Sequence, residues 1–101
     1  MRPFLEQHRA SLIRLCQESG IKRLAAFGSV VRPDFRPDSD VDLLVEFADV
    51  ESPGYADRFM RFADEAERIL GRSVDLLTTA SLRNPYLKRR VEKESIEIHA
   101  A

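Results

Sequence analysis

Gly28-Ser29-Val30-Val31-Arg32 and, after a loop, Ser39-Asp40-Val41-Asp42-Leu43-Leu44-Val45-Glu46-Phe47 form the stretch that decides how this chain is read. From Asp40 onward the residues alternate. Val41, Leu43, Val45 and Phe47 fall on one face of an extended strand, and Asp40, Asp42, Leu44 and Glu46 on the other. One face packs; the other begins with two carboxylates. Aspartate competes with the backbone for hydrogen bonds and is depleted in strands, so two of them opening an apolar strand call for a reason. Two residues apart on one strand, they leave the same face roughly 6.5 to 7 Å apart at the backbone, close enough to converge on metal ions. Taken alone the pair also fits a polar strand start that caps a loop, and both readings stand at this point.

Working outward, residues 33–39 hold two prolines with Asp34, Asp38 and Ser39, which requires a loop. Before it, Ile21-Lys22-Arg23-Leu24-Ala25-Ala26-Phe27 predicts a first strand, and Gly28-Ser29 a point where that strand turns into a short helix. Leu5, Leu12, Leu15 and Cys16, flanked by Ile13, recur at helical spacing and predict a helix over about Pro3 to Ser19, stopped at Gly20. After the break at Ser52-Pro53-Gly54, the stripe Phe59, Phe62, Ala63, Ala66, Ile69 and Leu70 predicts a helix over about Tyr55 to Leu70, ended by Gly71. Ser73 to Thr78 reads as a third strand, with Asp75 on the face opposite Val74 and Leu76. A helix over about Ser81 to Lys93 and a short strand at Ile96 to His99 complete the chain. The order predicts an α/β (α+β) sandwich with one small sheet that need not be wholly parallel.

The sequence has 101 residues, one domain's worth spanning 1–101, too few for a separate substrate-binding domain. With 44% hydrophobic and 33% charged residues it carries enough apolar material for a core. Sixteen Lys and Arg against seventeen Asp and Glu give a net charge of −1, so no global positive field draws it to nucleic acid, and any phosphate must be gripped locally. The lone Cys16 sits in an apolar helical stripe, reads as a buried structural thiol and fits a reducing cytoplasm. Glu6, Gln7, His8 and Arg9 interrupt any secretory core at the start, and no apolar run approaches the ~20 residues of a membrane span.

The third strand strengthens the metal reading. Ser73-Val74-Asp75-Leu76-Leu77 echoes Asp40-Val41-Asp42-Leu43-Leu44, and three carboxylates on adjacent strand ends make a hard-oxygen cage suited to Mg²⁺. Such a cage suits two ions ~3.5 to 4 Å apart. Gly28-Ser29 supplies the complement, because glycine permits close backbone approach and the start of a helix presents free N–H groups to an anion; Ser29 adds a hydroxyl. By itself a Gly-Ser pair is an ordinary strand-to-helix junction. Arg32, one turn into that helix, is placed to reach a triphosphate, although an exposed arginine also fits a solvated charge.

The combined string resembles the signature of the DNA polymerase beta-like nucleotidyltransferase superfamily, and the short length resembles its minimal members, the MntA-like antitoxins paired with HepT-like toxins. That resemblance implies the polymerase-beta-type fold, a small mixed sheet with flanking helices. It implies that Asp40 and Asp42 bind Mg²⁺, that Asp75 completes the site and helps activate the acceptor hydroxyl, and that Gly28 and Ser29 hold nucleotide phosphates, with Arg32 and Ser39 of the same motif joining them. Val31 stands where a small residue is common and Pro33 where glycine is common, which bears on loop shape rather than on catalytic groups. The implied activity is transfer of AMP from ATP to a hydroxyl, commonly a tyrosine, of a HepT-like toxin, which silences the toxin's ribonuclease activity. The implied setting is cytoplasmic and hetero-oligomeric, with no membrane and no direct nucleic-acid contact.

Rival readings are separable. Sugar-nucleotide transferases with Asp-x-Asp need a longer chain, and aspartyl phosphatases a different run after the second Asp than Leu43-Leu44-Val45. No Gly-rich kinase or dinucleotide loop is present. A non-catalytic antitoxin acting by binding, and a nucleotidyltransferase acting on a small molecule, remain alternatives. His8 and His99 read as surface residues, Lys88-Arg89-Arg90 as a solvated helix face, and Tyr55 and Tyr86 as packed rather than self-modified.

Overall fold

The computed structural model describes residues 3–32, 36, 38–51 and 53–101. The elements are α1 (Pro3–Ser19), β1 (Ile21–Phe27), a 3-10 turn (Gly28–Val31), β2 (Val41–Phe47), α2 (Tyr55–Leu70), β3 (Val74–Thr78), a second 3-10 turn (Thr79–Ser81), α3 (Pro85–Glu94) and β4 (Ile96–Ala100). The predicted order is therefore observed. Three element starts shift. Asp40 and Ser73 lie just ahead of their strands, and α3 begins at Pro85 rather than Ser81. The reason for the last is local. Thr78 and Ser81 close a reciprocal cap around the 3-10 turn, after which Asn84 accepts from the N–H groups of Tyr86 and Leu87 with Pro85 in the first helical position. The effect of Pro33 on loop shape falls outside the described residues.

The four strands run in the order β3-β2-β1-β4. β1 pairs antiparallel with β2 and β4, and β2 pairs parallel with β3, so the sheet is mixed. A parallel pair needs a crossover, which α2 provides. It ends at Gly71, whose φ of +67° lets its N–H turn back to the carbonyl of Glu67 at 2.8 Å.

Strand alternation then sorts the side chains. Leu24, Ala26, Leu43, Val45 and Phe47 join Leu5, Leu12, Leu15 and Cys16 of α1 and Phe62, Ala66 and Leu70 of α2 in the principal core. Tyr55 packs here, edge-on to Phe47 with ring centroids 5.0 Å apart. Burial pushes the Cys16 thiol up to about 12, which fits the structural role expected of it. On the other face, Leu44, Leu82 and Val91 form a smaller cluster with Phe27 and Leu77 against it. Of α3 only Val91 is buried; Lys88, Arg89 and Arg90 are solvated as predicted. Tyr86 departs from expectation, being 82% exposed rather than packed. His8 and His99 are half-buried, His8 edge-on to Phe4. Among the described residues no helix is long and apolar enough to cross a membrane.

β3 lies at one edge of the sheet, and its outward N–H groups are partly occupied. Glu67 accepts from Val74 at 2.8 Å and the Ser81 hydroxyl from Thr78 at 3.3 Å.

Candidate active site

The carboxylates lie on the thinly covered face. Asp40 precedes β2 and is exposed, Asp42 is the second residue of β2 and half-buried, and Asp75 is the second residue of β3 and exposed. The parallel register sets Asp42 directly against Asp75, and Leu44 against Leu77 two steps along. Asp42 and Asp75 thus stand one strand spacing apart, about 4.8 Å, on the same face. Their proximity is felt in the charge. Asp42 has its carboxyl raised above the usual range first by burial, then by the negative charges of Asp75 and Asp40. Among the described residues no basic side chain forms an ion pair with any of the three.

Among the described residues no group of three acidic, histidine or cysteine side chains is gathered closely enough to hold an ion as it stands. The donor set itself fits a hard divalent ion, being carboxylate oxygen throughout and carrying uncompensated negative charge.

Gly28 follows Phe27, which pairs with Asp42 across the antiparallel ladder. Its φ is +72°, a left-handed conformation that side chains resist. A Cβ built on it would collide with Asp42 Oδ2 and lie 3.3 Å from Asp42 Cγ. The glycine expected to admit a phosphate thus first of all admits the Asp42 carboxylate. This adjacency was missed in the sequence, and its signal was the hairpin-like register of β1 on β2.

Ser29 is half-buried within the same turn. That turn is a single 3-10 segment of four residues, not a longer helix, so the expected helix-start contribution reduces to a few backbone N–H groups. Arg32 is not one turn into a helix. It closes the turn in extended conformation, φ −99° and ψ 153°, donating its backbone N–H to the Ser29 carbonyl at 3.0 Å with its side chain exposed. Ser39 is half-buried, with its N–H on the Arg36 carbonyl at 3.1 Å, one residue ahead of Asp40. The structure therefore sets Asp42 against Asp75 and Gly28, with Asp40 close enough to act on Asp42; Ser29 and Ser39 are chain neighbours of Gly28 and Asp40, and Arg32 ends the turn with its side chain exposed. Sequence reading also passed over Arg72, whose Nη1 donates to the Arg36 carbonyl at 2.7 Å, just upstream of the carboxylates.

Comparison with known proteins bears on the family. The nucleotidyltransferase domain family matches residues 9–98. The protein adenylyltransferase MntA of Thermococcus cleftensis is 35% identical over 74 residues, covering 73% of this chain and 72% of the relative. A Methanocaldococcus jannaschii protein assigned by name to the protein adenylyltransferases is 36% identical over 78 residues, 77% of each chain. Among solved structures, a minimal nucleotidyltransferase superimposes with a TM-score of 0.76 at 35% identity, covering 91% of this chain and 90% of that one. A toxin–antitoxin structure with AMP-PNP gives 0.72 at 20% identity over 92% and 73%. A toxin–antitoxin MntA–HepT structure gives 0.65 at 19% over 95% and 73%. The latter two identities speak for the fold alone. A strand-borne pair of facing aspartates, a glycine packed on one of them and a family match over nearly the whole sequence agree: the chain belongs to the nucleotidyltransferase domain family, among its minimal, MntA-like members.

Proposed function

We propose that this chain is a Mg²⁺-dependent protein adenylyltransferase that moves AMP from ATP to a hydroxyl, most simply a tyrosine, of a HepT-like toxin and thereby neutralises the toxin's ribonuclease activity. The observation that carries this reading is the register that sets Asp42 against Asp75 beside Gly28. Relatives named as protein adenylyltransferases support the reaction class; the partner and the nucleotide are carried over by analogy from like-folded neighbours solved as toxin–antitoxin assemblies, one with AMP-PNP.

Asp40, Asp42 and Asp75 would hold the magnesium, most simply two ions. When bound, the metal lowers the pKa of the attacking hydroxyl and neutralises charge on the triphosphate. The chain's own groups do the rest. Gly28 and Ser29 present backbone N–H groups and a hydroxyl to the phosphates, with Ser39 and Arg32 adding polar contacts at the edge. Asp75 accepts the proton as the acceptor oxygen bonds to the α-phosphorus. The bond from that phosphorus to the bridging oxygen breaks, and pyrophosphate leaves. A single domain at 1–101 with its carboxylates on an open sheet face suits an acceptor delivered by another folded protein, in a cytoplasmic hetero-oligomer without direct nucleic-acid contact.

The test is to incubate the chain with Mg²⁺, each nucleoside triphosphate in turn and a HepT-like toxin, and to weigh the toxin by mass spectrometry. Added AMP from ATP alone is expected, with toxin ribonuclease activity falling in step. Neutralisation without added mass would leave a binding antitoxin instead, and label on small hydroxyl compounds but not on protein would point to a small-molecule acceptor.

A further inference from the structure

Arg72 sits between α2 and β3, outside the residues given roles above. Its Nη1 donates to the Arg36 carbonyl at 2.7 Å and lies 3.5 Å from the Ser39 carbonyl, so one guanidinium group spans the last turn of the loop before Asp40. That guanidinium is itself mounted on the ring of Phe4 in α1, 4.6 Å above its centroid. The adjoining residues continue the connection. The Ser73 carbonyl accepts from the N–H of Val41 at 2.9 Å, and Glu67 accepts from Val74 at 2.8 Å. The segment just ahead of Asp75 therefore grips the chain on both sides of Asp40.

This matters because the three carboxylates are not equally fixed. Asp42 and Asp75 ride on paired strands whose ladder sets their spacing. Asp40 lies outside the strand and is exposed, so its placement depends on the loop that carries it. A solvated surface arginine would give its donors to water; this one is half-buried and aimed at loop carbonyls.

We propose that Arg72 is a positioning residue that fixes Asp40 relative to Asp42 and Asp75, and in doing so sets the affinity of the three carboxylates for a divalent cation. The inference rests on the metal reading given under the proposed function. Arg72 touches neither substrate nor metal; it acts through the backbone on which Asp40 is mounted, as outer partners of metal ligands do elsewhere.

The test compares wild type, Arg72→Met and Arg72→Lys by Mn²⁺ binding followed by electron paramagnetic resonance, and by amide exchange at residues 38–41. Arg72→Met is expected to weaken Mn²⁺ binding by about tenfold and to speed exchange at Ser39 and Asp40, while Arg72→Lys, which keeps a cation and its donors, recovers part of both. If Arg72→Met fails to fold, Arg72→Lys decides, with intermediate affinity and exchange expected. Unchanged Mn²⁺ affinity in a folded variant overturns the proposal. Absence of Mn²⁺ binding by wild type would defeat the metal reading instead; exchange then decides alone, and equal rates in wild type and variants would end the claim for Arg72.

Discussion

The two faces of the sheet are built to different standards. On the α1 and α2 side, Leu5, Leu12, Leu24, Leu43, Val45 and Phe62 are wholly removed from water and interlock as one cluster. On the α3 side the buried cluster is Leu44, Leu82 and Val91, and the same strands bear Asp42 and Asp75. A two-residue alternation lets one backbone serve both, because β2 sends Leu43 and Val45 into the core and Asp42 to the open face. Stability is concentrated on one side and charge on the other, so a change on either face should be felt mainly in its own currency.

The sharpest way to break that division is Asp42→Asn. Transfer of labelled AMP to the acceptor should fall by roughly a thousandfold or more. Stability should move the opposite way. Asp42 is raised by burial and by its two acidic neighbours, so it favours the native state while protonated, and that support is lost as pH rises through its raised value. At neutral pH the asparagine variant should therefore be the more stable protein, and the gap should narrow as pH falls through the carboxylate range. Urea unfolding at pH 7 and pH 4 reads this; a less stable variant at pH 7 would contradict it.

Next in size are truncations of the two clusters. Phe62→Ala, on the full face, should cost about 3 to 5 kcal/mol, whereas Val91→Ala, on the sparse face, should cost about 1 to 2. Equal losses in denaturant unfolding would erase the contrast. Gly28→Ala falls between stability and function. Its left-handed backbone should cost about 1 to 2 kcal/mol, and the collision with Asp42 should also lower AMP transfer, so a stability loss with full activity would show that Asp42 needs no such close neighbour. Smallest is Asn84→Ala, which removes the α3 cap and should cost about 1 kcal/mol by thermal melting, with transfer unchanged.

Much of this was legible in the sequence where a residue's role depends on its near neighbours. The β2 alternation, the apolar stripes of α1 and α2 and the breaks at Gly20 and Gly71 come from local period and local conformation. The start of α3 was missed because two polar caps, Thr78 with Ser81 and Asn84 with Pro85, compete within a few residues. The contacts among the candidate site residues were not legible. Asp42 facing Asp75 follows only from a parallel register, and Gly28 lying on Asp42 only from an antiparallel one. Arg72 gave no signal, since an arginine in a loop reads as solvated until the carbonyls it reaches are known.

The acceptors on β3 have a consequence for how the molecule behaves in a crowd. An edge strand offers a row of amide donors on which a second chain can template, the first step of ordered aggregation. In this molecule Glu67 and Ser81 occupy the Val74 and Thr78 donors at the two ends of the strand, and Asp75 puts a charge between them. Occupied donors and a charge on this edge disfavour its being copied by its neighbours.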